Sequence, residues 1–253
     1  TSTFTAHLWL THFTNLPVVP TMSTRSDRPP ADLPELSPGV TLVDVDDDLG
    51  VTPVQALLLD RVLGSDGPAF WVDGANRANT TRLRELAPAD RVLDRVEVAR
   101  GFTAHQHTAL LDRLAGRLAA RDSPSVVLAT GLDARYRAAD VDRELAGDMF
   151  VRAVASVARV ARVHDAPVLV TRREADEFSR PLRRAAEAHL TCRATSFGPR
   201  FADAAGETET LVYRGADGWL QTTLAYWREV LAHRARLHGA ATPDRETAAP
   251  GVR

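Results

Sequence analysis

The chain has 253 residues, of which 44% are hydrophobic and 25% are charged, and its formal net charge is −2 at pH 7. This composition is typical of one globular domain with a full hydrophobic core. All 31 basic residues are arginine, which excludes ATP hydrolysis by a P-loop that depends on lysine. The single cysteine, Cys192, excludes an internal disulfide and a cysteine-based zinc cluster, and it indicates a reducing cytoplasm.

The two ends of the chain are predicted to lie outside the folded domain. Residues 1–21 are interpreted as an upstream extension, and residues 23–39 are rich in Ser, Arg, Asp and Pro, which is typical of disorder. We therefore expect an extension or disordered segment over residues 1–39, a folded domain over 40–239 and a disordered tail over 240–253. No apolar run approaches the length of a membrane span, so no membrane partner is expected.

Short apolar runs alternate with helical patterns through the first part of the domain. Strands are predicted over residues 40–45, 69–72, 96–99, 125–130 and 168–170. Helices are predicted over residues 54–63, 80–86, 105–120 and 144–164. This alternation predicts an α/β fold in which a mainly parallel sheet is flanked by helices on both faces.

The pattern changes near residue 189. Short strands are predicted near residues 189–195, 209–214 and 219–222, the last two joined by a turn that contains Gly215 and Gly218. Antiparallel strands at one edge of the parallel sheet would fit this pattern. A last helix is predicted over residues 224–237, ending at Gly239.

Three stretches of the chain carry a resemblance to a known family. Residues 69–83 combine a strand, an acidic turn and a helix, and residues 95–111 combine a strand, a segment containing Phe102 and a helix. Residues 136–171 lead through a long helix to another strand. In this order and spacing, the stretches resemble the ATPase core of the archaeal RadA and RecA-type recombinases over roughly residues 40–222. The resemblance implies a RecA-like α/β core of the P-loop NTPase superfamily.

The same resemblance implies a degenerate nucleotide site. Its positions in this chain are Gly50, Thr52, Pro53, Val54, Asp73, Ala75 and Thr130. Pro53 falls where the P-loop lysine belongs, Val54 where the Mg²⁺-binding hydroxyl belongs, and Thr130 where an aspartate organises Mg²⁺. The water-activating acid expected after Asp73 is replaced, since Ala75 and a glycine stand there. Because phosphoryl transfer depends on positioning and charge neutralisation, we expect no ATPase activity, no bound metal and no cofactor.

A run of acidic residues follows the first strand and has two interpretations. Asp44, Asp46, Asp47 and Asp48 would repel a phosphate unless a cation lay between them. Asp44 and Asp46 have the spacing of the nucleophile and general acid of Mg²⁺-dependent haloacid-dehalogenase-type phosphatases, which is one alternative function. The other interpretation is a solvated turn whose acids lie near a helix N-terminus.

Arginines cluster where the resembled family grips single-stranded DNA with two loops. The candidate DNA-binding residues are Arg135, Arg137, Arg172, Arg173, Arg180, Arg183 and Arg184. Guanidinium groups suit phosphates because their planar fork binds two oxygens at once. Acidic residues interleave with these arginines, so a solvated face of mixed charge is an equal alternative.

A few other residues have simpler interpretations. His105 and His107 would point to different faces of a helix, so ordinary hydrogen bonds are expected of them rather than a metal site. Cys192 is expected to pack as a small apolar residue in an edge strand. Three aromatic residues are expected to fix the last helix to the sheet, namely Trp219, Tyr226 and Trp227.

The sequence thus predicts a catalytically inactive relative of the recombinase ATPases that acts as an accessory factor in DNA recombination or repair. Its expected partners are an active recombinase, a second copy of the chain or single-stranded DNA. The alternatives are the phosphatase described above and a module that binds only proteins.

Overall fold

The computed structural model describes residues 33–119, 123–138, 142–195, 198–203 and 223–239. The strands predicted near residues 209–214 and 219–222 lie outside these ranges, as do Trp219, most of the predicted lead-in and the tail after residue 239.

The core of the fold is a seven-stranded sheet in the order β3-β2-β4-β5-β1-β6-β7. Strands β1 to β6 are parallel to their neighbours, whereas β7 pairs antiparallel with β6. The strands are β1 (Gly39–Val45), β2 (Ala69–Asp73), β3 (Val96–Arg100), β4 (Val126–Thr130), β5 (Pro167–Val170), β6 (Ala188–Thr195) and β7 (Gly198–Asp203). The predicted α/β class, with a mainly parallel sheet and an antiparallel edge, is confirmed.

Helices cover both faces of the sheet. The helices are α1 (Thr52–Leu63), α2 (Thr80–Leu86), α3 (Asp90–Leu93), α4 (Ala104–Ala119), α5 (Arg143–His164), α6 (Arg180–Ala185) and α7 (Thr223–Leu237). Apolar residues of α1, α2, α3 and α7 share one core cluster, and those of α4, α5 and α6 share the other. Within the described ranges, no helix combines the length and apolar character needed to cross a bilayer.

The four central strands, β1, β2, β4 and β5, are mostly apolar because each of them buries both of its faces. On β1, Leu42 belongs to the cluster under α5 and Val43 to the cluster under α1, and both side chains are fully buried. On β4, Val127 and Leu128 divide in the same way. Continuous apolar runs of this kind are expected of parallel strands between two helical layers.

The edge beyond β1 differs in detail from the prediction. The strand predicted near residues 189–195 is β6, and it runs parallel to β1 rather than antiparallel. Its antiparallel partner is β7, which begins with Gly198 and Pro199. The sequence pattern does not predict β7, because glycine and proline at its start interrupt the strand signal.

The packed domain begins before residue 40. Leu33 and Leu36 are 8% and 7% exposed and belong to the core cluster that contains α1. Part of the segment that is predicted to precede the domain therefore packs against its core. Proline-rich composition around these two leucines conceals their role, since a segment without regular secondary structure still buries apolar side chains.

We predict that Leu36→Ala lowers the free energy of unfolding by about 2 kcal/mol, because it removes buried apolar volume from the core. Leu237→Ala is the matched control: Leu237 is 61% exposed, so its truncation should change stability by less than about 0.5 kcal/mol. Urea denaturation of both variants measures the difference. Equal effects would show that Leu36 does not belong to the cooperative core.

Candidate functional site

A cleft of about 390 Å³ opens at the carboxyl ends of β1, β4 and β5. This is the edge where open α/β sheets bind their ligands. The lining residues come from the segments that follow these three strands and β2, and they are Val45, Asp47, Gly50, Val51, Val54, Ala75, Arg77, Thr130, Gly131, Thr171, Arg172, Arg173 and Glu174.

Four predicted positions of the degenerate nucleotide site meet in this cleft. Gly50, Val54, Ala75 and Thr130 all line it, although they come from three separate parts of the chain. The other three positions lie beside the cleft rather than on its surface. Pro53 is buried in the first turn of α1, Thr52 is half-buried at the start of that helix, and Asp73 is fully buried at the end of β2.

The turn between β1 and α1 uses its own amides internally. Asp47–Leu49 forms a 3-10 turn in which the Leu49 amide donates to the Asp46 carbonyl at 3.0 Å and the Gly50 amide donates to the Asp47 carbonyl at 3.1 Å. Gly50 has a φ of 58°, a conformation that favours glycine. Pro53 has no amide hydrogen. These groups therefore do not form the ring of free amides with which a P-loop surrounds phosphate.

Thr130 is held in a buried polar cluster. Its Oγ1 accepts a hydrogen bond from Trp71 Nε1 at 2.9 Å and donates to Asp73 Oδ1 at 3.0 Å. Asp73 also accepts from the amides of Ala75 at 3.0 Å and Ala78 at 2.6 Å. The hydroxyl and the carboxylate thus satisfy each other and fix the turn after β2.

Asp44 is neutralised by two basic side chains. Arg172 donates from Nε to Oδ1 at 2.9 Å and from Nη2 to Oδ2 at 2.5 Å, and His189 Nε2 lies 2.8 Å from Oδ2. Burial by itself would raise the pKa of Asp44, but the hydrogen bonds and charges of Arg172 and His189 outweigh burial and lower that pKa. Asp46 accepts from the Ala194 amide at 2.9 Å. Asp44 is therefore engaged with protein groups, which does not favour its use as a phosphatase nucleophile.

Arg137 is also committed to the fold. It lies at the end of the 3-10 turn Ala134–Arg137, which follows β4. Its Nη1 and Nη2 donate to the two carboxylate oxygens of Asp176 at 2.9 and 2.6 Å, and its Nε donates to Asp133 at 2.7 Å. The guanidinium lies 4.8 Å from the ring centroid of Phe178. The hydrogen bonds with Asp176 raise the pKa of Arg137 further above its usual range and lower the pKa of Asp176.

The remaining candidate arginines are more accessible. Arg173 is 65% exposed at the rim of the cleft and lies 3.9 Å from Glu174. Arg183 and Arg184 are exposed on α6, where Arg180 pairs with Glu177 at 2.8 Å. Arg135 is half-buried in the turn after β4. Of the seven arginines, Arg137 and Arg172 therefore bind a carboxylate through two nitrogens. The other five do not, although Arg173 and Arg180 each pair with a glutamate close in sequence.

The histidines, Trp227 and Cys192 lie mostly in the environments predicted for them. His107 is buried and lies 3.0 Å from the Tyr136 hydroxyl, while His105 is exposed. Trp227 packs against Phe201 of β7, with ring centroids 5.8 Å apart. Cys192 is buried on β6, which is an internal strand rather than the predicted edge strand, and burial raises the pKa of its thiol to about 12. Among the described residues, no group of three or more His, Cys, Asp or Glu side chains is placed to hold a metal ion.

Sequence reasoning missed several residues of the cleft. Arg77 extends from the segment after β2, and Thr171 lies directly after β5, where its hydroxyl accepts from the Gly131 amide at 2.8 Å. A position immediately after a parallel strand is the signal that identifies Thr171. Arg77 has no comparable signal, because its place at the cleft depends on the path of the turn after Asp73.

No protein-family model matches the chain, and a search of curated proteins finds no significant match.

We predict that Gly74→Ala destabilises the protein by about 2 kcal/mol. A Cβ at this position would lie 2.7 Å from the Gly131 carbonyl oxygen and 3.0 Å from His107 Nε2. Gly116→Ala is the control: a Cβ there meets nothing within 4 Å in the exposed part of α4, so it should stabilise the helix by roughly 0.5–1 kcal/mol. Urea denaturation distinguishes the two, and a neutral Gly74→Ala would mean that the turn after β2 adjusts freely.

We predict that Asp44→Asn lowers the free energy of unfolding by roughly 2 kcal/mol at pH 7, because Arg172 loses a charged acceptor. The pKa of Asp44 is lowered from 3.8 in the folded protein, so its contribution is fully present above pH 3.8 and is lost as the pH falls through the folded pKa. The difference between wild type and variant, measured by urea denaturation from pH 7 to pH 3, should therefore shrink below about pH 4. A difference that stays constant over this range would contradict the ion pair.

Proposed function

We propose that the chain is a catalytically inactive relative of the RadA and RecA-type ATPases and acts as a non-enzymatic accessory factor in DNA recombination or repair. The observation that carries the proposal is the convergence of Gly50, Val54, Ala75 and Thr130 on one cleft. The resemblance assigns these positions to the nucleotide site from the sequence alone. Their convergence supports a RecA-like core in which the former nucleotide site has lost its catalytic groups.

The loss of activity is supported by what has replaced those groups. Thr130, at the position of the Mg²⁺-organising aspartate, is bonded to Trp71 and Asp73. A carboxylate at position 130 would lie against the buried Asp73 carboxylate, and two such charges repel each other strongly. An aspartate that organises Mg²⁺ at position 130 is therefore incompatible with the hydrogen bonds among Trp71, Thr130 and Asp73.

The partner surface for DNA is proposed to be the exposed arginines of α6. Arg183 and Arg184 are exposed and make no ion pair with another described residue, and Arg173 lies nearby in the chain at the cleft rim. Arg137 and Arg172 are unsuited to DNA, because moving either one to a phosphate would leave Asp176 or Asp44 without its cation. An accessory factor of this kind would bind single-stranded DNA weakly through a few phosphates.

A recombinase or a second copy of the chain is the proposed protein partner. Strand β3 lies at the edge of the described sheet, with an apolar groove of about 200 Å³ beside it that Val72, Val98 and Leu114 help to line. Edge strands with an apolar flank are ready to pair with another chain. Sedimentation of the purified protein, alone and mixed with a purified RadA-type recombinase, tests this part of the proposal.

The test of the whole proposal is equilibrium binding of labelled ATP and of a labelled single-stranded oligonucleotide, each at low and high salt. We expect no ATP binding and DNA binding that weakens steeply with salt. ATP binding in the presence of Mg²⁺ would contradict the assignment of the cleft as a degenerate site.

Two double variants test whether the exposed arginines of α6 bind DNA. We expect Arg183→Gln combined with Arg184→Gln to weaken DNA binding at least tenfold and to reduce the slope of log K against log salt by about 1.4, since each lost contact with single-stranded DNA removes roughly 0.7. Arg82→Gln combined with Arg84→Gln is the control, because these arginines are also exposed, on α2, where Arg82 pairs with Glu85 at 3.2 Å, and it should change neither quantity. Equal losses in both pairs would indicate attraction by net charge alone.

The phosphatase remains the second candidate, and it predicts Mg²⁺-dependent hydrolysis of a phosphate monoester that disappears in Asp44→Asn. We expect no such turnover, because Arg172 and His189 already occupy the carboxylate.

A further inference from the structure

A buried hydrogen-bond chain connects α4 to the turn after β4. His107 Nδ1 lies 3.0 Å from the Tyr136 hydroxyl, and that hydroxyl lies 3.0 Å from Thr108 Oγ1. Thr108 in turn donates to the Ala104 carbonyl at 3.0 Å. His107 is fully buried and Tyr136 is 2% exposed, so water does not compete for these groups.

The direction of each proton in this chain follows from counting donors. Thr108 has one hydroxyl proton, and it is used on Ala104, whose carbonyl oxygen can only accept. Tyr136 must therefore donate to Thr108, which leaves its oxygen to accept from His107 Nδ1. The uncharged ring consequently carries its proton on Nδ1, and Nε2 is a bare acceptor.

The surroundings of Nε2 disfavour a second proton. Among the described residues, this nitrogen is buried and has no hydrogen-bond partner. Burial, followed by the nearby charge of Arg135, lowers the pKa of His107 to about 4, although the carboxylate of Asp73 opposes this effect. Asp73 is already bonded to Thr130 and to two amides, and Arg100 at the end of β3 is directed at Asp73 and at the Ala78 carbonyl.

The turn that Tyr136 anchors holds one wall of the cleft. Asp133, directly before this turn, accepts from the amides of Arg173 at 2.6 Å and Glu174 at 3.4 Å, and both of those residues line the cleft. Arg137, the last residue of the turn, binds Asp176 in the same segment. A displacement of the turn would therefore be transmitted to residues 172–179.

We propose that the 3-10 turn Ala134–Arg137 is an acid-sensitive latch: uncharged His107 holds it closed through Tyr136, and protonation of His107 Nε2 releases the turn together with residues 172–179. The imidazolium would have no acceptor for its new N–H and would lie near the Arg135 guanidinium. The cost is relieved when the ring reaches water, which breaks its bond to Tyr136. This device would couple the shape of the cleft to pH, whatever ligand or partner the cleft serves.

Amide hydrogen exchange at pH 7 and pH 4, corrected for intrinsic rates, tests the latch. A histidine with a pKa of 6.5 when released and about 4 when latched should increase opening of residues 133–137 and 172–179 on the order of 100-fold at pH 4. Exchange in β4 and β5 should not follow. The pKa values of Asp44 and Asp176 are both lowered from 3.8, so the loss of these two charges is shifted to more acidic pH.

Two variants separate the latch from other effects of acid. His107→Asn keeps a donor near the Nδ1 position but cannot acquire a charge, so the increase in opening at pH 4 should disappear. Tyr136→Phe removes the link itself and should raise exchange of the two segments already at pH 7. His105→Asn, on the exposed face of the same helix, should retain the wild-type response.

The opposite results would overturn the proposal. An increase at pH 4 that persists in His107→Asn would assign the effect to another group. Equal loss of protection in β4 and β5 would mean that acid unfolds the whole domain, and unchanged exchange in the wild type would mean that the turn does not open. If Tyr136→Phe does not fold, the comparison between wild type and His107→Asn decides the question alone.

Discussion

The buried carboxylate of Asp73 needs hydrogen-bond donors, and this need determines the arrangement of several residues at the carboxyl edge of the sheet. This carboxylate is fully buried at the end of β2, where an unbonded carboxylate would be very costly. The structure supplies donors from three directions: the amides of the turn after β2, the hydroxyl of Thr130 on β4 and, at longer range, Arg100 on β3. Three neighbouring strands are thus tied together at one carboxylate, and the path of the turn that lines the cleft follows from it.

Because the chain contains no lysine, arginines neutralise the carboxylates at this edge of the sheet. Arg137 and Arg172 each bind a carboxylate through two nitrogens, a geometry that the ammonium group of lysine cannot reproduce. Each pair joins segments that are distant in sequence, Asp44 with Arg172 across β1 and β5, and Arg137 with Asp176 across the two loops at the cleft. The acidic run after β1 is therefore tolerated partly because its first member is neutralised from another strand.

The sequence was informative wherever a local pattern determines the structure. Apolar runs and helical spacing identified β1 to β5 and the four main helices that follow them, because burial on both faces leaves a direct signature in composition. The cleft positions Gly50, Val54, Ala75 and Thr130 followed from the resemblance, and they meet because residues at the ends of parallel strands share one edge of a sheet. Ion pairs such as Asp44 with Arg172 could not be predicted, because nothing in a single sequence indicates which distant arginine a given carboxylate contacts. The burial of Leu33 and Leu36 was hidden for a related reason: an irregular segment has no periodicity to reveal its inner face.

The contact between Trp71, Thr130 and Asp73 also limits how this protein can change over generations. The indole N–H donates to the hydroxyl, and the hydroxyl donates to the carboxylate. Replacing one of these groups therefore leaves a buried polar atom of another without its hydrogen-bond partner. Single substitutions at these three sites are accordingly disfavoured, whereas coordinated replacements are not. The three positions are therefore expected to be substituted together, and a carboxylate at position 130 would first require the replacement of Asp73. A substitution that alters the chemistry at this edge of the sheet therefore also alters the stability of the fold.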